Sequence, residues 1–140
     1  MDFYKILQHF HSGWAYLTLL MGIVFFFMVG FYVLNKKAKD KTIAKISLIT
    51  TLVFHVQMVI GVILYFVSPY AQWSSETMKD ATNRLYAMEH PLMMFVAVIL
   101  ITITNSKIKK AEYLKMPVAI LALLALAVVL SRIPWSAWIG

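Results

Sequence analysis

A chain of 140 residues that is 61% hydrophobic and 14% charged lacks the polar surface of a soluble globular domain, where apolar residues usually stay near or below half. It has no cysteine, which excludes disulfides, thiolate metal sites, iron–sulfur clusters and haem attached through C-x-x-C-H. The net charge of +7 does not form a nucleic-acid face, because nine of the thirteen Lys and Arg residues sit in two short segments, 36–45 and 107–115.

In chain order, the apolar residues fall into four blocks, each near the ~20 residues that a helix needs to cross ~30 Å of hydrocarbon. The first, 11–34, is too long for a cleaved signal peptide and lacks a basic head and a small-residue cleavage site. The second covers 46–67. The segment 68–84, "SPYAQWSSETMKDATNR", is balanced in charge, and its Ser and Asp residues predict a short amphipathic helix running into the third block, 85–104. Pro91 belongs either in the first turn of that helix or at a kink in a longer one. The fourth block, 116–133, has no polar residue until Ser131. No block alternates as a membrane barrel strand does.

The whole chain, 1–140, therefore reads as one all-α domain, an integral-membrane up-down-up-down four-helix bundle. The lysine bias puts both basic loops on the cytoplasmic side of the membrane, where they rest on anionic headgroups. Both termini and the 68–84 segment then lie on the outer, periplasmic side. Trp14, Trp73, Trp135 and Trp138 fall at that face, as an aromatic belt does.

Ionisable groups in a membrane are costly, so each is a candidate for function. Here they are His9, His11, His55, Glu89, His90 and Arg132. Counted at ~1.5 Å per residue from the cytoplasmic end of each block, His55 lies roughly 14 Å deep, His90 about 21 Å and His11 about 34 Å. Imidazoles on separate helices of a bundle suit the axial positions of a b-type haem iron. Gly61, with Gly13 and Gly22, offers clearance for a flat ring; Arg132, Arg84, Trp14 and Trp135 offer partners for propionates. His90 is one expected ligand and His11 or His55 the other: His11 pairs with it across the bundle diagonal, while His55 is nearer in depth but on an adjacent helix. Glu89 is a candidate proton acceptor, with a quinone as a candidate partner.

Plainer readings exist for each residue. His9 and His11 suit an interface without any cofactor, and an H-x-H pair alone is weak evidence for copper or zinc. His55 suits a core histidine bonded to a carbonyl or to Thr51. His90 suits a partner for Glu89, Gly22 and Gly61 suit close helix packing, and Met58, Met93 and Met94 suit gap filling.

The segments "HSGWAYLTLL", "FHVQMVIGVILYF", "YAMEHPLMMFVAVILITI" and the closing "IPW" resemble the short four-span bacterial proteins known as cytochrome-b-like. The resemblance covers most of the chain and falls on His11, His55, Gln57, Gly61, Glu89, His90 and Ile133–Trp135; it implies haem binding. A looser likeness, limited to Gln57, Gly61 and a histidine at a helix head, is to one four-helix half of haem A synthase, whose halves hold haem between paired histidines. This chain departs from that pattern in having no histidine in its fourth block. The expected function is electron transfer by a b-type haem near the outer face, in a redox carrier or subunit more than in a stand-alone enzyme. The alternative is a cofactor-free accessory subunit or assembly factor of a larger membrane complex. A third is a haem-handling enzyme or carrier.

Overall fold

The computed structural model describes residues 2–139. Among them the regular structure is helical: α1 (Phe3–Leu34), α2 (Lys41–Val67), α3 (Ala81–Lys110), α4 (Met116–Ser131) and a single turn, α5 (Trp135–Trp138). The first three are long and apolar enough to cross a membrane. α4 is apolar but shorter, 16 residues or about 24 Å of rise.

Each of the three aspartates starts a helix. Asp2 accepts from the backbone N–H of Lys5 at 2.8 Å, Asp40 from Ile43 at 3.1 Å and Asp80 from Asn83 at 2.9 Å, which satisfies donors that a first turn leaves free. These caps lie outside the apolar blocks, so α1 begins at Phe3 instead of 11, α2 at Lys41 instead of 46, and α3 at Ala81 instead of 85. α3 also runs on to Lys110, six residues past the end expected from hydropathy. α4 stops two residues early, because Pro134 pushes the residue before it out of the helical region. The amphipathic helix expected in 68–84 shrinks to the turn Ala81–Arg84, which does run into α3; before it, turns around Thr77 close on the Ser74 N–H at 2.7 Å and the Gln72 carbonyl at 3.3 Å.

The four long helices pack in a ring, α1 on α2, α2 on α3, α3 on α4 and α4 on α1, leaving α1 and α3 diagonal. Phe25, Val29, Phe54, Ile101, Ala125 and Val129 fill the centre. Small polar groups join them without leaving free donors. The Ser47 hydroxyl donates to Asn105 Oδ1 at 2.8 Å between α2 and α3, and Thr18, Thr50, Thr51 and Thr104 donate to carbonyls one turn back. The outside is greasier: Phe66 is 80% and Phe27 67% exposed. Small polar groups inside and large apolar ones outside suit lipid as the surrounding solvent.

The two lysine loops are bound to each other. Ala38 bridges Tyr113 in antiparallel fashion, the Lys39 N–H donates to the Glu112 carbonyl at 2.9 Å, and Lys39 Nζ donates to the Lys109 carbonyl at 2.8 Å. Asp40 joins α1 to α2 by accepting from the Tyr32 hydroxyl at 2.7 Å. That bond, with those from Ile43 and the nearby Lys37, holds the Asp40 carboxyl below the ordinary carboxylate range.

Candidate functional site

α3 is not a uniform helix. Leu85–Glu89 form a π turn in which the His90 N–H reaches the Leu85 carbonyl, five residues back. Pro91 follows. It has no N–H for the Ala87 carbonyl, and the Tyr65 hydroxyl of α2 donates there instead at 2.8 Å. Tyr65 Oη in turn accepts from Trp73 Nε1 at 2.7 Å. Pro91 thus sits inside a longer helix, and the extra residue of the π turn resets which side chains face inward.

One of those is His90. Its Nδ1 lies 2.8 Å from the carbonyl of Arg132, the capping residue at the end of α4. A carbonyl only accepts, so Nδ1 carries the proton and the neutral ring keeps its lone pair on Nε2. The His11 ring, from α1, stands 6.3 Å away, centroid to centroid, at 89°. Hydropathy alone set these two about 13 Å apart in depth. The six extra residues at the end of α3 account for about 9 Å of that difference. Helical side chains also lean toward their own N-terminus, and on the diagonal helices α1 and α3 that lean runs the same way.

α2 seats His11. Gln57 Nε2 donates to the His11 carbonyl at 2.9 Å. One turn on, a Cβ at Gly61 would come within 3.1 Å of His11 Cε1. The clearance expected at Gly61 for a flat cofactor is therefore filled by the His11 imidazole. Two buried polar atoms here have no protein partner, His11 Nδ1 and Gln57 Oε1.

Charges gather beside the pair. Glu89 takes Arg84 Nε at 3.0 Å on one carboxylate oxygen and Arg132 Nε at 3.7 Å on the other. Arg132 so presents its carbonyl to His90 and its guanidinium to Glu89. Trp14, expected to offer its indole N–H to a propionate, donates it to the Val53 carbonyl of α2 at 3.0 Å.

His55 stands apart. Its Nδ1–H points to the Thr51 carbonyl at 2.8 Å, and its Nε2 faces Thr102 Oγ1 at 3.3 Å. Thr102 lies twelve residues from His90 along α3, about 18 Å of rise. The side-chain lean separates His55 and His90, because α2 and α3 run in opposite directions. His9 is exposed, and at an i,i+2 spacing it faces away from His11.

Two imidazoles that bind one ion from opposite sides, through metal–nitrogen bonds of ~2.0 Å, have ring centres roughly 6 Å apart. The His11–His90 spacing fits that requirement, whereas neither Gly61 nor Trp14 is free for the task expected of it. Among the described residues no group of three or more His, Cys, Asp or Glu is placed to hold a metal ion. Tyr65 was missed from the sequence; the signal was Pro91, which obliges some donor to reach the carbonyl four residues back. The chain matches no family model, curated protein or solved structure to which it was compared.

Proposed function

We propose that this protein is a four-span bacterial inner-membrane protein that holds one b-type haem between His11 and His90 and moves electrons near the outer face. The observation that carries the reading is the pair of neighbouring imidazoles on diagonal helices, 6.3 Å apart between centroids, with His90 oriented by Arg132 and His11 seated on Gly61. A bound haem would supply a one-electron centre whose potential follows from axial ligation and burial. The chain's own residues do the rest. Arg132 keeps the proton on His90 Nδ1, which leaves Nε2 free to bind. Gln57 fixes the backbone of His11. Glu89, between two arginines, holds a carboxylate beside the pair.

Four spans follow if α4 crosses with its neighbours, its ends completed by Lys115 and by the Trp135–Trp138 turn. The lysine-rich end then faces the cytoplasm and the histidine end the periplasm. The resemblance to cytochrome-b-like proteins agrees with this reading.

The test is an optical spectrum of the purified protein in mild detergent, from cells with ample haem, before and after dithionite. A sharp Soret band with α and β bands on reduction, lost in His11→Ala and His90→Ala and kept in His55→Ala, supports it. A colourless, folded protein overturns it and leaves the cofactor-free subunit.

A further inference from the structure

At the lysine end of the bundle, far from the histidine pair, α1 and α4 part to form a groove. A cavity of about 220 Å³ is walled by Phe26, Gly30, Val33, Ala119, Ile120 and Leu123. A second, of about 470 Å³, shares Val33 and Met116 with it and is bordered by Lys36, Tyr113 and Lys115. The two adjoin at Val33 and Met116, the first lined by apolar residues and the second bordered by lysines. Gly30 keeps it open, since a Cβ there would meet nothing within 4 Å.

Two features single out the mouth. Lys36 has φ 50°, the left-handed conformation that ends helices and in which glycine is the usual residue. A lysine there is strained, yet it sets an ammonium at the groove. Of the lysines at this end, Lys37 pairs with Asp40 and lies over the Tyr32 ring and Lys39 donates to the Lys109 carbonyl, whereas the two that line the groove are Lys36 and Lys115. Among the described residues, the Lys36 and Lys115 side chains have no protein partner. Lys115 directly precedes the first residue of α4, where the apolar helix starts.

The geometry points to an anionic phospholipid in this groove, with an acyl chain beside Gly30 and its phosphate between Lys36 and Lys115. Charge complementarity selects the headgroup. Two unpaired ammonium groups favour a lipid that brings no cation of its own, such as phosphatidylglycerol, over phosphatidylcholine. The Tyr113 hydroxyl adds a donor at the same level. This site is independent of any haem.

The experiment is thermal unfolding in mild detergent with phosphatidylglycerol, with phosphatidylcholine of the same chains, or with inorganic phosphate. Phosphatidylglycerol is expected to raise the midpoint by several degrees and the other two to leave it nearly unchanged. The double variant Lys36→Gln/Lys115→Gln tests the headgroup. Gly30→Leu tests the chain, since its Cβ enters open space, and its midpoint without lipid checks that it is folded. Each is expected to weaken the apparent affinity about tenfold. An equal response to phosphatidylcholine, or an unchanged response in either variant, overturns the site. A response to phosphate alone makes it an anion site and overturns the lipid.

Discussion

Tyr65 donates its hydroxyl to the carbonyl of Ala87, the one that Pro91 leaves without a helical partner. The bond spans α2 and α3, and it lets a proline stand in the middle of a long helix. Tyr65→Phe keeps the ring and orphans a buried acceptor, which costs about 1–3 kcal/mol. In a Pro91→Ala background the helix regains an N–H, and the same change costs less. A double-mutant cycle on thermal or denaturant unfolding measures the difference. Equal costs in both backgrounds contradict the pairing.

Gly61 and Gly22 make an opposed pair of predictions. A Cβ at Gly61 presses on His11 Cε1 at 3.1 Å, whereas at Gly22 its nearest neighbour is Phe54 at 3.4 Å. Gly22→Ala is expected to be neutral, or to stabilise by up to about 1 kcal/mol through helix propensity. Gly61→Ala shifts the imidazole and is expected to destabilise by about 1–3 kcal/mol. It also alters any spectrum that depends on His11, which Gly22→Ala leaves alone.

The three inner histidines separate by chemistry. Changing His55 removes its Nδ1–H bond to the Thr51 carbonyl and is expected to cost about 1 kcal/mol while leaving any haem spectrum unchanged. Changing His11 or His90 would remove a ligand of the proposed haem, so on that reading the spectrum is lost. Unfolding curves and reduced-minus-oxidised spectra of the three variants, taken side by side, check both halves.

Asp40 supplies a pH dependence. Its carboxyl is held low first by the Tyr32 hydroxyl and then by the Ile43 N–H. A group with a depressed folded pKa adds stability above its unfolded value, and that stability is lost as pH falls through the folded one. Thermal midpoints are therefore expected to drop on acidification below the ordinary aspartate range. Asp40→Asn keeps a good cap and an acceptor for Tyr32, so it isolates the charge. Its acid profile is expected to be flatter.

The all-helical class and the apolar blocks were legible because hydropathy reports them directly, whereas the Trp135–Trp138 turn and the shortness of α4 were not. The ends were not, since Asp2, Asp40 and Asp80 start helices several residues before the grease begins. That offset carried into the site. His90 was set too low because α3 continues through "NSKIKK" to Lys110. The partner of His90 depends on helix direction and side-chain lean, which a linear depth estimate ignores. Gln57 and Gly61 are legible as a spaced pair, but what they serve, the backbone and ring of His11, depends on the packing of α2 against its neighbour α1 in three dimensions.

The bridge between Ala38 and Tyr113 has a mechanical consequence. It clips the α1–α2 hairpin to the α3–α4 hairpin at one end by backbone hydrogen bonds. At the other end the hairpins meet through the 68–80 segment, the Tyr65 hydroxyl on the Ala87 carbonyl at 2.8 Å and the tilted contact of Tyr16 with Trp138 at 4.6 Å. The bundle thus has a clasp at each end. His11 and His90 belong to different hairpins, so the distance between them is set by how these two clasps hold the hairpins together.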